Sequence, residues 1–532
     1  MSSRLHDYAA RSAARDPRAI AVVLGEERLS YGRLVSESRR LARMLRAAGV
    51  EPGDRVALML GKSPAAIVAM HAALEASAAY VPVDLTSPAR RAALLIESAE
   101  PRVVVAAEPA AGLLEGLAEA GALERVRLLS IEAGWSGGER FAADYGPADW
   151  AGLADDPVTG EEEPGRLAHI LFTSGSTGVP KGVQITHTMA TAFVDWAVDH
   201  FGPAPRERIS GHPPLHFDLS TFDIYATLKA GAELHLVPAA ANLLPGALAE
   251  FIRDAALDQW FAVPSTLAFM VRSGTVEQGD FPSLKRVLFC GEAMPTSVLV
   301  EWMRRVPQAR YTNLYGPTET TIASSYYDVP AIPDTETEPL PIGVPCPGEE
   351  LLVLDEERRQ LPPGEIGEIF IAGAGLSPGY WRDEQRTAAA FVADPRGGGE
   401  RIYRTGDLGW VREDGMFMYA GRSDSQIKHR GYRIELGEVE AALDALGELR
   451  ESAVVAVDTG GFEATGICCA YVPASGELPP PRLRAALARS LPPYMLPTRW
   501  LSFDALPKNA NGKIDRRAIR ETFELELTTN AE

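Results

Sequence analysis

Glycine and hydroxyl residues crowd into the stretch LFTSGSTGVPKGV, residues 171–183. Glycines leave backbone N–H groups open to a ligand and hydroxyls add donors, so such a loop can form a nest for an anion, with Lys181 adding a positive charge. The spacing does not fit GxxxxGK[ST], and GKS at 61–63 fails too, because Val56 stands where its first glycine should be. A Ser/Gly surface turn is the alternative, but the loop follows a buried-strand pattern, which favours an anion site. The candidate loop residues are Thr173, Ser174, Gly175, Ser176, Thr177 and Gly178.

Two further turns carry a carboxylate that could serve a nucleotide. NLYGPTE (313–319) offers Tyr315, which can stack on a base, and Glu319, which can hold Mg²⁺ beside phosphates. YRTGDLG (403–409) places Asp407 after a glycine, where a carboxylate can accept both hydroxyls of a ribose. Taken alone, Glu319 is better interpreted as a solvated glutamate than as a metal ligand. For Asp407, a turn-stabilising role and a ribose-binding role are equally good interpretations.

Two charged stretches follow towards the C-terminus. GRSDSQIKHRGYRIELGEVE (421–440) places glycines beside many cations, and this pattern favours a hinge over a solvated loop. PKNANGKIDRRAI (507–519) holds a hairpin-turn signal followed by Lys513. The chain has 45 arginines but only 7 lysines, and Lys181, Lys428 and Lys513 all lie in these motifs. A compact ammonium is therefore expected to have a function there.

The elements that must position these residues alternate strands and helices from residue 20 to about 420. RVALML (55–60) predicts a strand and SPAAIVAMHAALEA (63–76) a helix, as in helix-covered parallel sheets. Four buried strands are predicted at 208–212, 260–263, 286–290 and 310–314, each followed by polar or aromatic residues. Ligands bind beyond the carboxyl ends of such strands, so we expect one composite pocket. Beyond residue 426 the order strand, strand, helix, strand predicts a small α+β domain, and the domains are placed at 1–423 and 424–532.

Size and charge exclude several classes of protein. A chain of 532 residues is too long for a single hydrophobic core, so at least two domains are expected. The net charge of −20 argues against a nucleic-acid binder. The four cysteines lack zinc-ligand or CxxC spacing, which indicates reduced thiols and a cytoplasmic location. The polar, charged N-terminus is not expected to act as a signal peptide, and no stretch approaches 18 uninterrupted apolar residues, so no membrane-spanning segment is expected.

In this order, the motifs resemble those of the amino-acid adenylation enzymes of nonribosomal peptide synthesis, within the acyl-CoA synthetase and luciferase-like superfamily. The resemblance covers essentially the whole chain and includes GEIFIAGAGLSPGYW besides the stretches quoted above. It implies a large N-terminal domain of helix-covered, mostly parallel sheets and a small mobile C-terminal domain. It also implies that ATP and a carboxylate react to give an acyl-AMP and pyrophosphate.

The resemblance assigns roles to single residues. Thr173 and Lys181 would grip the β- and γ-phosphates, with Glu319 holding Mg²⁺. Tyr315 would stack on adenine, Asp407 and Arg422 would bind the ribose, and Gly316 and Thr318 belong to the same nucleotide-binding group. Lys513 would reach the substrate carboxylate and the α-phosphate. The small domain would then rotate about Asp424, withdraw Lys513 and present the loop of Gly431 to a phosphopantetheine thiol.

The carboxylate substrate is expected to be an amino acid. Phe217 and Asp218 match the position where the family pairs an Asp with the α-amino group, and a buried ammonium needs such a partner. A helix-capping role is the alternative for Asp218. The other substrate-binding positions, which carry no charge, are Leu219, Phe222, Phe261, Leu288, Cys290, Gly291, Leu314, Ile322 and Ala323. They predict a small apolar side chain: alanine first, proline second.

No carrier-protein motif follows residue 520, so the enzyme is expected to load a separate carrier protein that bears phosphopantetheine. Two alternatives stay open. In an acid:CoA ligase, free coenzyme A would accept the acyl group, although Asp218 argues against it. A catalytically inactive adenylate-binding protein is disfavoured by the presence of Lys181, Glu319, Asp407 and Lys513.

Overall fold

Helix-flanked sheets dominate the larger part of the chain in the computed structural model, which describes residues 4–158, 165–175, 179–458, 465–508 and 514–529. Up to residue 201 the elements are β1 (Ile20–Leu24), β2 (Glu27–Ser30), β3 (Arg55–Met59), β4 (Ala79–Pro82), β5 (Val103–Ala106), β6 (Arg127–Ser130), β7 (Leu167–Thr173) and β8 (Lys181–Thr186), with α1 (Leu5–Arg15), α2 (Tyr31–Ala47), α3 (Pro64–Glu75), α4 (Ala89–Ala99), α5 (Ala111–Glu119), α6 (Pro147–Trp150) and α7 (His187–Phe201). Strands β3 to β8 form a sheet in the order β6-β5-β3-β4-β7-β8, parallel except for the β7–β8 pair.

A second sheet carries the strands that lead to the predicted pocket. The elements of this part are β9 (Arg208–Gly211), β10 (Glu233–Leu236), β11 (Gln259–Ala262), β12 (Arg286–Cys290), β13 (Arg310–Tyr315), β14 (Ser325–Asp328) and β15 (Val344–Pro345), with α8 (Asp218–Ala230), α9 (Pro245–Asp254), α10 (Pro264–Arg272) and α11 (Thr296–Arg305). The sheet order is β15-β14-β13-β12-β11-β9-β10-β1-β2. Strands β13, β12, β11 and β9 are neighbours and run parallel, so their carboxyl ends meet at one edge as predicted.

The main hydrophobic core lies where α1, α2, α3, α7 and α8 pack between these sheets. Side chains that alternate along a strand serve the two faces: Phe261 and Leu288 join this core, whereas Trp260 and Phe289 pack against α9, α10 and α11 on the other side. Helix α8 ends at Gly231, whose φ of +76° lies in the left-handed region that glycine adopts readily. Helix α8 begins at Asp218. Because the helix packs between the sheets, this first residue is held at the sheet edge.

The next part departs from the predicted alternation of strands and helices. Its elements are β16 (Glu349–Leu354), β17 (Gly367–Gly373), β18 (Phe391–Ala393), β19 (Arg401–Val411) and β20 (Phe417–Arg422), with α12 (Glu384–Ala390). These strands form an antiparallel sheet in which β17, β18 and β20 all pair with β19. The motif YRTGDLG therefore lies inside β19 rather than in a loop.

The C-terminal part has its own core. Its elements are β21 (Gln426–His429), β22 (Tyr432–Glu435), β23 (Leu449–Asp458), β24 (Thr465–Pro473) and β25 (Arg499–Ser502), with α13 (Leu436–Asp444), α14 (Pro480–Leu487) and α15 (Arg516–Thr529). The predicted strand, strand, helix, strand order corresponds to β23, β24, α14 and β25, and the hairpin β21–β22 precedes it. The predicted boundary at 423/424 falls in the link between β20 and β21, and it stays a prediction.

Short 3-10 helices complete the described elements, at Glu108–Ala110, Ala239–Leu243, Thr318–Thr320 and Pro493–Met495. All four cysteines lie among the described residues, where each is buried and free of a disulfide. Within the described ranges, no helix is both long enough and apolar enough to cross a membrane.

Candidate active site

A cavity opens at the sheet edge where the sequence predicts a composite pocket. Its lining includes residues at or just past the ends of three of the four predicted strands, β9, β12 and β13, and of β7, namely Ser174, 216–219, Cys290, Gly291 and 316–318. Pro264 and Ser265, which follow the fourth predicted strand, β11, line a second cavity instead. Residues of the C-terminal part close it from the opposite side, among them Lys428, Gly431, Tyr432 and Arg433. The cavity thus lies between the large part of the chain and the C-terminal part.

Asp218 borders this cavity. It is the first residue of α8, and the capping position is occupied by Phe217, which makes no side-chain cap bond, so the helix-capping alternative does not describe its position. Burial raises the pKa of the Asp218 carboxyl to about 6, although hydrogen bonds from the Thr318 hydroxyl and the backbone N–H of Leu219 act in the opposite direction. A carboxylate that is costly to ionise in this way gains most from a cationic partner.

The other predicted pocket residues divide into two layers. Phe217, Leu219, Cys290, Gly291 and Ile322 line the cavity beside Asp218. Phe222, Phe261, Leu288, Leu314 and Ala323 are buried in the same hydrophobic cluster as Leu219, behind this lining. The rings of Phe222 and Phe261 meet edge to face at 5.4 Å between centroids. These two rings belong to the same buried cluster as Leu219, Cys290 and Ile322, so the cavity wall beside Asp218 is backed by apolar packing.

Asp407 is linked by hydrogen bonds to two other predicted nucleotide-binding residues. Tyr315 donates its phenol hydrogen to Oδ2 of Asp407 at 2.7 Å, and Arg422 donates from Nη1 to Oδ1 at 2.5 Å. Tyr315 and Arg422 also line the second cavity, which continues past Gly291 and Glu292. Each carboxylate oxygen has two lone pairs, so Asp407 can still accept bonds from a ribose.

The first residues of the predicted phosphate loop also reach the site. Thr173 ends β7 and pairs with Lys181 at the start of β8. The Oγ1 atom of Thr173 is buried and has no hydrogen-bond partner among the described residues, and Thr173 lines the first cavity. Such an unsatisfied hydroxyl fits a donor to a phosphate oxygen. Ser176, Thr177 and Gly178 lie outside the described residues.

Glu319, the predicted metal ligand, is fully buried among cations. Arg433 donates from Nη1 to Oε2 at 2.6 Å, Tyr380 donates to Oε1 at 2.7 Å, and Nζ of Lys181 lies 3.5 Å from Oε1. Burial opposes ionisation of this carboxyl, but Arg433 and Lys181 outweigh it and hold its pKa well below the usual range. A buried carboxylate beside a phosphate site fits Mg²⁺, which binds through one or two carboxylates plus phosphates, but Arg433 must first withdraw. The described residues contain no cluster of three or more His, Cys, Asp or Glu that could hold a metal without phosphates.

Contacts from the C-terminal part complete the site, and the sequence did not predict them. The hydroxyl of Ser174 donates to the backbone carbonyl of Arg433 at 2.6 Å. The carboxylate of Glu438 pairs with Arg91 and accepts the N–H of Gly175 at 3.3 Å. The cation-rich stretch 421–440 predicted a hinge, and its density of charge was the available signal for these contacts.

Two further predicted residues belong to the C-terminal part. Asp424 lies between β20 and β21 and accepts hydrogen bonds from Nε and Nη2 of Arg422, both at 2.8 Å. Lys513 lies outside the described residues. Lys428, singled out as one of few lysines, lies 5.7 Å over the ring of Tyr315 and lines both cavities.

Comparison with known proteins places the chain in one family. The sequence profile described as AMP-binding enzyme matches residues 9–381, and the profile of the AMP-binding enzyme C-terminal domain matches residues 438–513. The chain belongs to the AMP-binding enzyme family. Its membership confirms the predicted family, and the chain is an ATP-dependent, AMP-forming ligase.

Two curated relatives match over almost their full length. An L-proline–[L-prolyl-carrier protein] ligase of Pseudomonas fluorescens is 37% identical over 521 residues, which cover 98% of this chain and 99% of the relative. A ligase of the same name from Streptomyces coelicolor is 35% identical over 515 residues, covering 96% of this chain and 94% of the relative. Other family members are larger: the chain spans 8% of tyrocidine synthase 3 of Brevibacillus parabrevis.

The fold is also that of solved adenylation enzymes. The structure of holo-PA1221, a nonribosomal peptide synthetase protein containing adenylation and PCP domains, matches with a TM-score of 0.78 at 26% sequence identity. The match covers 97% of this chain and 84% of that chain. It confirms the predicted fold class, a large α/β part with a smaller C-terminal part.

Proposed function

We propose that this AMP-binding enzyme activates L-proline as prolyl-AMP and transfers the prolyl group to the phosphopantetheine thiol of a separate carrier protein. The observation that carries the proposal is the position of Asp218 beside the apolar part of the cavity wall, in a chain that matches two prolyl-carrier protein ligases almost end to end. These relatives favour proline over the alanine expected first from the pocket residues.

Each part of proline has a counterpart in the cavity. Its secondary ammonium would pair with the carboxylate of Asp218, because Lys428 and the hydrogen bonds to this carboxylate do not offset the effect of its burial. Its pyrrolidine ring would lie against Leu219, Cys290 and Ile322. The apolar packing behind these residues, where Phe222 and Phe261 meet, disfavours longer side chains.

The nucleotide would occupy the opposite side of the site. We assign the ribose to Asp407 and Arg422, adenine to Tyr315, and the phosphates to Thr173 and Lys181. Mg²⁺ held at Glu319 would neutralise phosphate charge when bound. The chain's own residues would orient the α-phosphate towards the carboxylate of proline, with Lys513 as the predicted cation between them.

The described arrangement of the C-terminal part fits the second half of the reaction. Arg433 donates a hydrogen bond to the carboxylate of Glu319. Beside the cavity, the N–H of Gly431 donates to Oε1 of Glu292 at 2.7 Å. We propose that this arrangement serves thioester formation and that rotation near Asp424 brings Lys513 in for adenylation. We also propose a cytoplasmic location, in keeping with the four free cysteines.

Amino-acid-dependent exchange of pyrophosphate into ATP tests the substrate. The panel contains L-Pro, L-Ala, D-Ala, Gly and L-Ser, together with an aryl acid and a fatty acid. We expect L-Pro to give the highest kcat/KM, by about tenfold or more over L-Ala, since several apolar contacts are gained. Preference for L-Ala would restore the first expectation, and turnover of the acids alone would favour an acid:CoA ligase.

Transfer to the carrier protein needs a separate assay. The acceptors compared are a holo carrier protein, its apo form without the phosphopantetheine arm, and free coenzyme A, each with radiolabelled proline. We expect label on the holo form only. Equal transfer to coenzyme A would contradict the carrier-protein proposal and leave the amino-acid assignment standing.

A further inference from the structure

A third cavity lies beyond the phosphate loop. It is bordered by Gly175 and Lys181 on the loop side and by Arg386, Arg404 and Arg433 farther out. Its described lining carries more cations than carboxylates. The cavity therefore borders the loop where the β- and γ-phosphates are assigned and provides a positively charged environment there.

Arg386 is placed where the two stems of the phosphate loop come together. A Cβ atom on Gly175 would collide with the carbonyl oxygen of Val179 and would lie 3.7 Å from Nη1 of Arg386. The same Nη1 atom donates to the carbonyl oxygen of Val179 at 3.4 Å. Arg386 extends from α12, a different segment of the chain, and reaches both stems of the loop.

The other cations of this cavity already pair with carboxylates. Lys181 and Arg433 share the buried Glu319, Arg422 pairs with Asp407 and Asp424, and Arg404 donates to the partly buried Glu368 at 2.9 Å. Arg386 faces Asp383 at 3.2 Å between Nη1 and Oδ2, with both side chains a little over a quarter exposed. An ion pair that water screens in this way is worth little, so the pair with Asp383 by itself does not hold the guanidinium away from another anion.

We propose that Arg386 is a pyrophosphate-binding residue and that the third cavity is the path by which pyrophosphate leaves. In adenylation, a carboxylate oxygen forms a bond to the α-phosphorus and the bond from that phosphorus to the bridging oxygen breaks. The bridging oxygen and its charge leave with pyrophosphate. A planar guanidinium suits this leaving group because it can donate two parallel hydrogen bonds to phosphate oxygens.

The test measures the KM for pyrophosphate in the exchange reaction with R386Q. Gln is polar but shorter than Arg and uncharged, so R386Q removes the charge and the contact with Val179 together; the KM for the amino acid, measured beside that for pyrophosphate, shows whether the site as a whole is disturbed. R401Q is the matched control, because Arg401 is exposed and donates to the carbonyl of Pro378 at 3.2 Å without lining the cavity. The assay uses any amino acid that supports exchange, so its outcome is independent of the assignment of proline.

We expect R386Q to raise the KM for pyrophosphate about tenfold, the loss of one charge-assisted contact. The KM for the amino acid should stay within twofold, and R401Q should match the wild type. A KM for pyrophosphate that does not change in R386Q overturns the proposal, as does an equal rise for both substrates.

A second measurement on the wild-type enzyme covers the case in which R386Q does not fold. Phenylglyoxal modifies accessible arginines, and peptide mass spectrometry reads each site. Pyrophosphate should protect Arg386 and leave Arg401 as reactive as before. Modification of Arg386 at the same rate with and without pyrophosphate contradicts the proposal.

Discussion

At the scale of single residues, we propose that Asp218 decides the class of substrate. D218N keeps the shape of the side chain and removes the charge that would pair with the substrate ammonium. We expect its KM for the amino acid to rise on the order of 100-fold or more, since truncating one partner of a buried charge pair costs about 2–5 kcal/mol. The KM for ATP should change little.

The exchange assay checks this prediction with D199N as the control. Asp199 is an exposed carboxylate on α7, so the control makes the same change in net charge away from the cavity. A D218N enzyme with an unchanged KM for its amino acid would contradict the role of Asp218.

The raised pKa of Asp218 predicts a pH dependence of substrate binding. Only the ionised carboxylate pairs with an ammonium, and burial raises the pKa of Asp218 to about 6. As pH falls below this value the ionised fraction falls, so the KM for the amino acid should rise by about tenfold for each further pH unit. KM measured from pH 5 to pH 8 should show this rise in the wild type and a flat profile in D218N.

At the scale of elements, the pattern of apolar residues along the sequence predicts where buried strands lie, but not how they pair. Strand β12 was predicted at 286–290 and lies there. A short apolar run bounded by turn residues is typical of a buried strand. Apolar periodicity does not encode pairing direction, so the antiparallel sheet around β19 was missed. The pairs Arg433–Glu319 and Arg91–Glu438 were missed as well, because they join residues 114 and 347 positions apart.

The turn between β21 and β22 tests the proposed thioester arrangement. Gly431 has a φ of +79°, and an added Cβ would lie 2.6 Å from Cγ1 of Val263. G431A should therefore slow carrier loading by about tenfold, from left-handed strain of about 1–2 kcal/mol plus this collision, while exchange is retained. G415A is the control, since Gly415 has a φ of +83° with open space around it. Equal loading by G431A and G415A would show that the contact with Val263 does not matter.

At the scale of the whole molecule, the described arrangement and the proposed Mg²⁺ would compete for the same groups. Arg433 forms an ion pair with Glu319, and Glu438 accepts a hydrogen bond from the N–H of Gly175 in the predicted phosphate loop. The C-terminal part therefore supplies a cation where Mg²⁺ is assigned and a carboxylate where phosphate is assigned. Departure of pyrophosphate would free both partners, and this would couple the end of adenylation to the start of thioester formation.

E438Q tests that coupling, because Gln removes the charge that faces Arg91 and keeps only one of the two acceptor oxygens that bind Arg91 and the N–H of Gly175. Removing charge from a buried hydrogen-bonded pair costs about 1–3 kcal/mol, so loading should slow about tenfold or more while exchange stays near the wild-type rate. E440Q is the matched control, since Glu440 lies on the same helix and pairs with Arg516 within the C-terminal part. The ratio of loading rate to exchange rate is the quantity to measure. A ratio in E438Q equal to that in E440Q would mean that Glu438 does not hold the arrangement in which the thioester forms.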